Sequence, residues 1–213
     1  MVAKLQTHVA YRCPECGSIV YAFVGKFALS ANLIRTKCPC GHSALDITMT
    51  NDEKVRLSVP CVFCKQNHNF VVSQSIFFER DIFLLNCPYA NMDICFIGAK
   101  DKTDAEIDRA EEELKRLLTN LEAESLSDIQ PMDVDEEEMP LDATVYDNIR
   151  FLMKELMLDG ALDCPCHSGK YELRFSKDGI QIYCEECGAS HTFSADSVSA
   201  TEDYLGITSL YLK

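Results

Sequence analysis

The sequence has no apolar stretch of the roughly 18 residues that a membrane-spanning helix needs. Its first residues contain no apolar core followed by a small-residue cleavage site, which is the mark of an export signal. Structural disulfides persist mainly in oxidising compartments outside the cytoplasm. We therefore expect a cytoplasmic protein that does not contact a membrane, in which paired cysteines hold metal rather than one another.

Two common catalytic motifs are also missing. Gly25-Lys26 lacks the upstream glycine of a phosphate-binding loop. No Gly-x-Ser-x-Gly turn, which would present a nucleophilic serine, occurs anywhere in the chain. We assign no catalytic residue and expect a protein that is not an enzyme.

The residue in excess is cysteine, with 12 in 213 residues. Ten of them form short Cys-x-x-Cys or Cys-x-Cys pairs, and the other two form a wider one. Four of the five gaps between successive pairs are 17 to 22 residues long, enough for a strand out and a strand back. Hairpins of this length return successive pairs to one end, where four thiolates can surround a Zn²⁺ ion. We predict three zinc ions, held by Cys13, Cys16, Cys38, Cys40, Cys61, Cys64, Cys87, Cys95, Cys164, Cys166, Cys184 and Cys187.

The pairing of the cysteines is clear only in the carboxy-terminal part, whose four cysteines should form one site. In the amino-terminal part a nested pairing is favoured, because its inner four cysteines resemble the carboxy-terminal four most closely: Cys38, Cys40, Cys61 and Cys64 inside, with Cys13, Cys16, Cys87 and Cys95 outside. A sequential pairing remains open, with 13/16 joined to 38/40 and 61/64 joined to 87/95. The wide spacing of Cys87 and Cys95 predicts that their site is the most labile.

Histidines near the cysteines are the other candidate ligands. His68 and His191 each follow a Cys-x-x-Cys pair by four residues, where the first pair is followed by Val20. A position that accepts valine favours packing over ligation. His42 and His167 follow Cys-x-Cys turns and could replace a missing ligand. Because twelve thiolates already complete three shells, no open position is expected for a catalytic water.

The fold class expected is α+β overall, with small metal-stabilised β-rich domains of the zinc-ribbon type joined by a helical connector. The hairpin flanks at 171–175 and 180–183 alternate between apolar and polar residues, as strands do. We predict a double zinc ribbon over 1–100, an amphipathic helix over 101–126, an acidic flexible linker over 127–142, a helix over 143–159 and a third ribbon over 160–213.

The first predicted helix has a capping-box pattern, Thr103-Asp104-Ala105-Glu106, and a 3-4 rhythm of apolar residues over two heptads. One apolar face needs a partner. We favour packing of the two helices on each other or on the ribbons, and leave open a homodimer through the helix at 103–125.

Charge is distributed unevenly. Residues 1–100 carry 10 Lys/Arg and 7 Asp/Glu, a balance of +3, residues 101–142 carry 4 and 16, a balance of −12, and residues 143–213 carry 6 and 11, a balance of −5. Thiolate-bound zinc adds further negative charge. This distribution is unfavourable for gripping phosphate backbones, so a protein-interaction role, as an adaptor or regulatory module, is the first hypothesis.

Two alternative functions remain. Nucleic-acid binding through residues 1–100 would use scattered cations and nearby aromatic rings that could stack on bases: Lys26, Arg35, Lys37, Lys54, Arg56, Lys65, Arg80, Tyr21, Phe23 and Phe27. A redox switch would oxidise a weakly held thiol pair and release zinc, with Cys87 and Cys95 as the candidates.

The cysteine turns also resemble a known family. The pattern Cys38-Pro39-Cys40-Gly41-His42 followed by Cys61-x-x-Cys64, echoed at Cys164 and Cys184, is similar to the bacterial CpXC domain family. The likeness covers residues 10–97 and 160–205 and implies a bacterial metal-binding domain without an established activity. The chain departs from it in the single residue between the cysteines at 38/40 and 164/166 and in the wide fourth pair.

Overall fold

The computed structural model describes residues 6–31, 33–50, 54–87, 89–120, 143–176, 179–195, 204 and 207–213. The chain divides into two compact units, Met1–Val134 and Asp135–Lys213. The acidic linker predicted over 127–142 lies outside the described residues, as do residues 121–126 of the first predicted helix. The described part is strand-rich with few helices, in agreement with an α+β class.

The amino-terminal unit contains, in its described part, eight strands and three helices: β1 (Gln6–Arg12), β2 (Ile19–Gly25), α1 (Lys26–Ala31), β3 (Ile34–Lys37), β4 (Ala44–Met49), β5 (Lys54–Pro60), β6 (Asn67–Ser73), α2 (Gln74–Glu79), β7 (Ile82–Cys87), β8 (Met92–Gly98) and α3 (Lys100–Asn120). The strands form two four-stranded sheets, in the orders β2-β1-β8-β7 and β3-β4-β5-β6. Every pairing in the two sheets is antiparallel.

The two halves of this unit repeat one plan. Strand, cysteine turn, strand, short helix, strand, cysteine turn and strand follow each other in β1–β4 and again in β5–β8. Replacing each strand by its counterpart turns the order β2-β1-β8-β7 into β6-β5-β4-β3, which is the second sheet read backwards. Each half therefore contributes one hairpin to each sheet, and the halves are interlocked by the pairings β1–β8 and β4–β5.

Alternation of apolar and polar residues explains why one face of these strands is buried. In β5, Val55, Leu57 and Val59 are buried while Arg56 is exposed. The helix α2 was not predicted from the sequence. It begins at Ser73, whose hydroxyl accepts a hydrogen bond from the backbone N–H of Ile76 at 3.2 Å, the usual N-cap contact.

The long helix α3 packs on the sheet that contains β1 and β8. Its residues Ile107 and Ala110 form a buried cluster with Ala10 and Phe96. The helix begins three residues before the predicted capping box, because the N–H of Thr103 already donates to the Ala99 carbonyl at 2.8 Å. Part of the apolar stripe is thus used within the unit, and the homodimer left open through the helix at 103–125 stays a hypothesis.

The carboxy-terminal unit contains, among its described residues, α4 (Ala143–Leu158), β9 (Leu162–Asp163), β10 (Tyr171–Ser176), β11 (Gly179–Cys184), β12 (Ser190–Phe193) and β13 (Leu210–Tyr211). Strands β10-β11-β12 form an antiparallel sheet, and β9 pairs separately, in parallel, with β13. One stripe of α4 closes the core against the sheet, with Val145, Ile149, Leu152 and Leu156 packed in a cluster that includes Ile180, Ile182 and Phe193.

Membrane crossing by a helix finds no support in the structure. Within the described ranges, no helix combines the length and the apolar character that a membrane span requires.

Candidate metal centres

Three of the cysteine turns are built alike. In each Cys-x-x-Cys turn the N–H of the first cysteine donates to the carbonyl five residues later: Cys13 to Ser18 at 2.9 Å, Cys61 to Gln66 at 2.9 Å and Cys184 to Ala189 at 2.8 Å. The residue after the second cysteine has a positive φ, which glycine adopts without steric cost. It is Gly17, Lys65 or Gly188. The turn thus directs both sulfurs to the same side.

The Cys-x-Cys turns reach a similar result with a shorter loop. The Gly41 N–H donates to the Cys38 carbonyl at 2.9 Å, and the His167 N–H donates to the Cys164 carbonyl at 3.0 Å. Both donors have positive φ, 82° at Gly41 and 52° at His167.

The first cysteine group joins the turn between β1 and β2 to the turn between β3 and β4. The Sγ atoms of Cys13 and Cys40 lie 3.6 Å apart, and those of Cys16 and Cys38 lie 3.5 Å apart. All four sulfurs lie within 4.8 Å of one another. Ser43 donates its hydroxyl to the Cys13 sulfur at 3.1 Å.

These separations fit a tetrahedral metal site. Zinc–sulfur bonds of about 2.3 Å imply sulfur–sulfur edges of about 3.8 Å. A disulfide needs about 2.05 Å between its sulfurs, and all twelve cysteines are free thiols in this structure. The group is therefore arranged as a ligand set that could hold a metal ion.

The second cysteine group joins the turn between β5 and β6 to the turn between β7 and β8. Its members are Cys61, Cys64, Cys87 and His68, and all four are buried. The His68 Nε2 atom lies 3.2 Å from the Cys64 sulfur, and its side chain is only 2% exposed. Backbone N–H groups of Phe63 and Ala90 donate to the sulfurs of Cys61 and Cys87 at 3.3 and 3.5 Å.

The histidine takes the place of a cysteine that this half of the unit lacks. Counting two residues from Cys38 leads to Cys40, whereas counting two from Cys87 leads to Tyr89. His68 on β6 occupies the position of Val20 on β2, and its ring centroid lies 6.0 Å from that of Tyr89. A ligand from the neighbouring strand thus replaces one lost from the turn.

The third cysteine group lies in the carboxy-terminal unit and contains Cys164, Cys166, Cys184 and Cys187. The Cys166 sulfur is 3.4 Å from that of Cys164 and 3.5 Å from that of Cys184. The hydroxyl of Ser168 lies 3.1 Å from the Cys184 sulfur, the same contact that Ser43 makes in the first group. Cys166 and Cys187 are exposed, so this site lies at the surface.

Electrostatics around the thiols favour some thiolates and oppose others. Hydrogen bonds from the Ser18 side chain and backbone lower the pKa of Cys16 to about 6. Burial raises the pKa of Cys164, but hydrogen bonds from Cys166, Tyr171 and Cys184 together outweigh burial and bring the pKa to about 6. The Ala189 backbone lowers the pKa of Cys187, yet desolvation and the neighbouring thiols raise it to about 11. A bound cation would remove this mutual opposition, because metal ligands are deprotonated.

The arrangement differs from three expectations about the amino-terminal ligands. The cysteine turns are joined sequentially, so the favoured nested pairing does not match the structure. Cys95, expected as a ligand, lies on β8 opposite Tyr11 and Leu85, and burial raises the pKa of its thiol. Among the described residues it groups with no other potential metal ligand. His68, expected to pack rather than ligate, lies in the group instead.

The other histidines remain outside the three groups. The His167 Nδ1 atom lies 2.8 Å from a carboxylate oxygen of Asp163, and the His191 ring packs on Phe193 with centroids 4.7 Å apart. His42 is exposed. Each of the three groups offers four donors, the number that a tetrahedral metal site requires.

Comparison with known proteins gives no further guide. The chain matches no protein-family model, no curated protein and no solved structure. The proposed function therefore rests on the geometry of the three groups.

Proposed function

We propose that this chain is a zinc-stabilised, non-enzymatic module that acts by binding another protein. The observation that carries the proposal is the closure of all three groups, each with four sulfur or imidazole donors within 4.8 Å of one another. Catalytic zinc sites keep one position for water or substrate, whereas structural sites are filled by the protein. The proposal includes the expected likeness of the chain to zinc ribbons and to the CpXC family.

Zinc is the metal that suits these donors best. Thiolate-rich tetrahedral sets favour zinc over the hard cations that prefer oxygen. Four thiolates give a zinc site a charge of −2, and three thiolates with a neutral imidazole give −1. The second group, wholly buried, is the one with the lower charge. This matches the rule that burying charge is costly.

A protein partner fits the surface better than a nucleic acid. Of the cations proposed to grip phosphate, Arg35 is paired with Asp46 through two hydrogen bonds of 2.6 and 2.5 Å, and Lys65 donates to the Pro14 carbonyl at 3.0 Å. The aromatic residues Tyr21 and Phe23 are exposed, but carboxylates from α3 line the same groove. Such neighbours repel phosphates.

The candidate residues for the redox switch change once the exposure of the thiols is known. Cys87 and Cys95, its original candidates, are both buried, whereas Cys16, Cys166 and Cys187 are exposed. Oxidation of thiolates follows exposure and thiolate character. If zinc release by oxidation occurs, it should begin at the first or third group.

X-ray absorption at the zinc edge tests the closed sites directly. The zinc-loaded chain should show a first shell of eleven sulfurs and one imidazole nitrogen spread over three zinc ions, the donors of the three groups. Oxygen from water in that shell would indicate an open, potentially catalytic site and overturn the proposal.

Fluorescence anisotropy with single- and double-stranded oligonucleotides at physiological salt should show no binding; salt-dependent binding would favour the nucleic-acid alternative.

A further inference from the structure

An open groove lies at the edge of the sheet β2-β1-β8-β7, where the edge strand β2 and the helix α3 line its walls. Its volume is about 590 Å³, and the residues that form it are His8, Tyr21, Ala22, Phe23, Lys100, Asp104 and Asp108. We call it the aromatic–acid groove. None of these side chains belongs to a cysteine group, so the groove has no part in the metal centres.

Two aromatic rings form one wall of the aromatic–acid groove. Tyr21 is 53% exposed and Phe23 is 57% exposed, and as alternate residues of β2 they project from the same face, about 7 Å apart along the strand. The His8 ring meets Phe23 edge-on, with centroids 4.9 Å apart and an interplanar angle of 62°, and supports the ring from β1. Both aromatic side chains are thus more than half open to solvent.

Carboxylates form the opposite wall. Asp104 pairs with Lys100 at 2.5 Å, whereas no ion pair within the described ranges involves Asp108. The nearby arginines are held by other carboxylates: Arg12 by Glu111, and Arg109 by Asp93, Glu106 and Glu113. Burial is the main cause that raises the pKa of Tyr21; the charge of Asp104 comes next and Asp108 adds to it, while the Lys100 ammonium offsets part of their effect.

We propose that the aromatic–acid groove binds a side-chain cation, a lysine ammonium or an arginine guanidinium, of a basic segment in the protein partner. Aromatic faces attract cations through the ring quadrupole, and an unpaired carboxylate beside them adds Coulomb attraction. A nucleic acid would gain stacking on the same rings but would bring phosphates against Asp104 and Asp108. This inference rests on the proposed protein-binding function and names the chemistry of its partner.

Nuclear magnetic resonance titration of the zinc-loaded full chain tests the proposal. The probes are nine-residue peptides with Gly-Ser-Gly at each end and three lysines, three arginines, three glutamines or three glutamates in the middle. Lysine and arginine peptides should shift the amide signals of residues 21–23 and 100–108 saturably, and glutamine and glutamate peptides should not. The ratio of lysine to arginine affinity shows which cation the groove prefers.

Matched variants separate the groove from the general acidity of the chain. Phe23→Ala and Asp108→Asn should each weaken lysine-peptide affinity about threefold or more, the size expected for one exposed cation–π or charge contact. Two control residues lie outside the groove: Phe27, an aromatic residue of α1 that is 78% exposed, and Glu112, an exposed acid of α3. Phe27→Ala and Glu112→Gln should each leave the lysine-peptide affinity unchanged.

Either of two results would overturn the inference: lysine-peptide shifts located away from the groove, or equal weakening by Glu112→Gln and Asp108→Asn. Zinc content is measured on the same samples, so that a failure of the cation site can be told apart from a failure of the proposed function. A chain with three zinc ions and no groove response refutes only the cation site, whereas open or missing zinc sites refute the module itself.

Discussion

His68 and His191 stand at the same place in their turns, four residues after the second cysteine, yet they do different things. His68 is buried with Nε2 beside the Cys64 sulfur, whereas His191 is exposed and packs on Phe193. The difference follows from the fourth ligand: the third group has Cys166, and the second group has Tyr89 where a cysteine would be. Among the three described groups, the one that contains a histidine is the one with only three cysteines.

Replacing His68 by alanine should empty or weaken the second group alone. Loss of an outer-shell partner already costs roughly 10- to 100-fold in metal affinity, so removing a ligand should cost more than about 100-fold. Competition with a chromophoric chelator measures this affinity in the whole chain. His68→Cys should preserve binding, because a fourth thiolate completes the shell.

Two matched variants make this result specific. His191→Ala removes the equivalent histidine of the third group and should leave all zinc affinities unchanged. Cys95→Ala removes the buried thiol that lies outside the groups and should also retain the full zinc content. Equal loss of zinc from His68→Ala and His191→Ala would show that the geometry of the second group is not a ligand set.

At the scale of elements, one linear pattern serves two purposes. Cys-x-Cys, a hairpin and Cys-x-x-Cys occur in β3–β6 and again in β9–β12, but only the second copy closes on itself as a site. Strand β3 remains hydrogen-bonded to β4, so the two turns of that sheet lie side by side about 10 Å apart, the width of two strand spacings. Strand β9 is not part of the β10-β11-β12 sheet and pairs with β13 instead, so the Cys164 turn can meet Cys184.

The hairpin β10–β11 depends on a glycine. Gly179 has φ of +141°, and a Cβ atom there would lie 1.9 Å from the Phe193 carbonyl oxygen. Gly179→Ala should therefore destabilise the carboxy-terminal unit by about 3 kcal/mol, since overpacking and backbone strain each cost roughly 1–3 kcal/mol. Hydrogen exchange should show protection of the Ile180 and Ile182 amides reduced by about 100-fold.

The control for this substitution is Gly160→Ala in the same unit. Gly160 also has positive φ, +63°, but nothing lies within 4 Å of its Cβ position. It should cost only about 1–2 kcal/mol, the penalty for a left-handed residue. Similar effects of both substitutions would mean that the contact with Phe193 is not the cause.

Local pattern was sufficient for some elements and not for others. The flanks 171–175 and 180–183 alternate clearly, and strands are observed at Tyr171–Ser176 and Gly179–Cys184. The short helices α1 and α2 have six residues each, too few for a periodic signal. The run Ile76-Phe77-Phe78 forms part of α2, with Phe77 and Phe78 buried in the core.

At the scale of the whole molecule, the sequence indicated which residues could bind metal but not which cysteines share a group. Paired cysteines indicated three metal groups, and eleven of the twelve cysteines lie in the three groups. The pairing within 1–100 depends on how two interlocked halves share their sheets, and the nearly equal spacings of 20 to 22 residues carry no information about that. His68 had one signal in the sequence, the absence of a cysteine two residues after Cys87.

Metal binding in the three groups would suit units of this size. A three-stranded sheet with one helix buries little apolar surface, and small domains of this kind depend on added cross-links or metals. Structural zinc contributes about 10–16 kcal/mol of binding free energy in small peptides, which becomes folding free energy when no site exists in the unfolded chain. We therefore expect both the stability of the fold and the proposed function to depend on metal content.

Native mass spectrometry of the full chain, prepared under reducing conditions, measures that property most directly. We predict three zinc ions per chain, one for each of the three described groups, with no mass loss corresponding to disulfides. Two zinc ions would contradict the prediction that all three described groups bind zinc. A metal-free chain that remains folded would contradict the claim that zinc stabilises this protein.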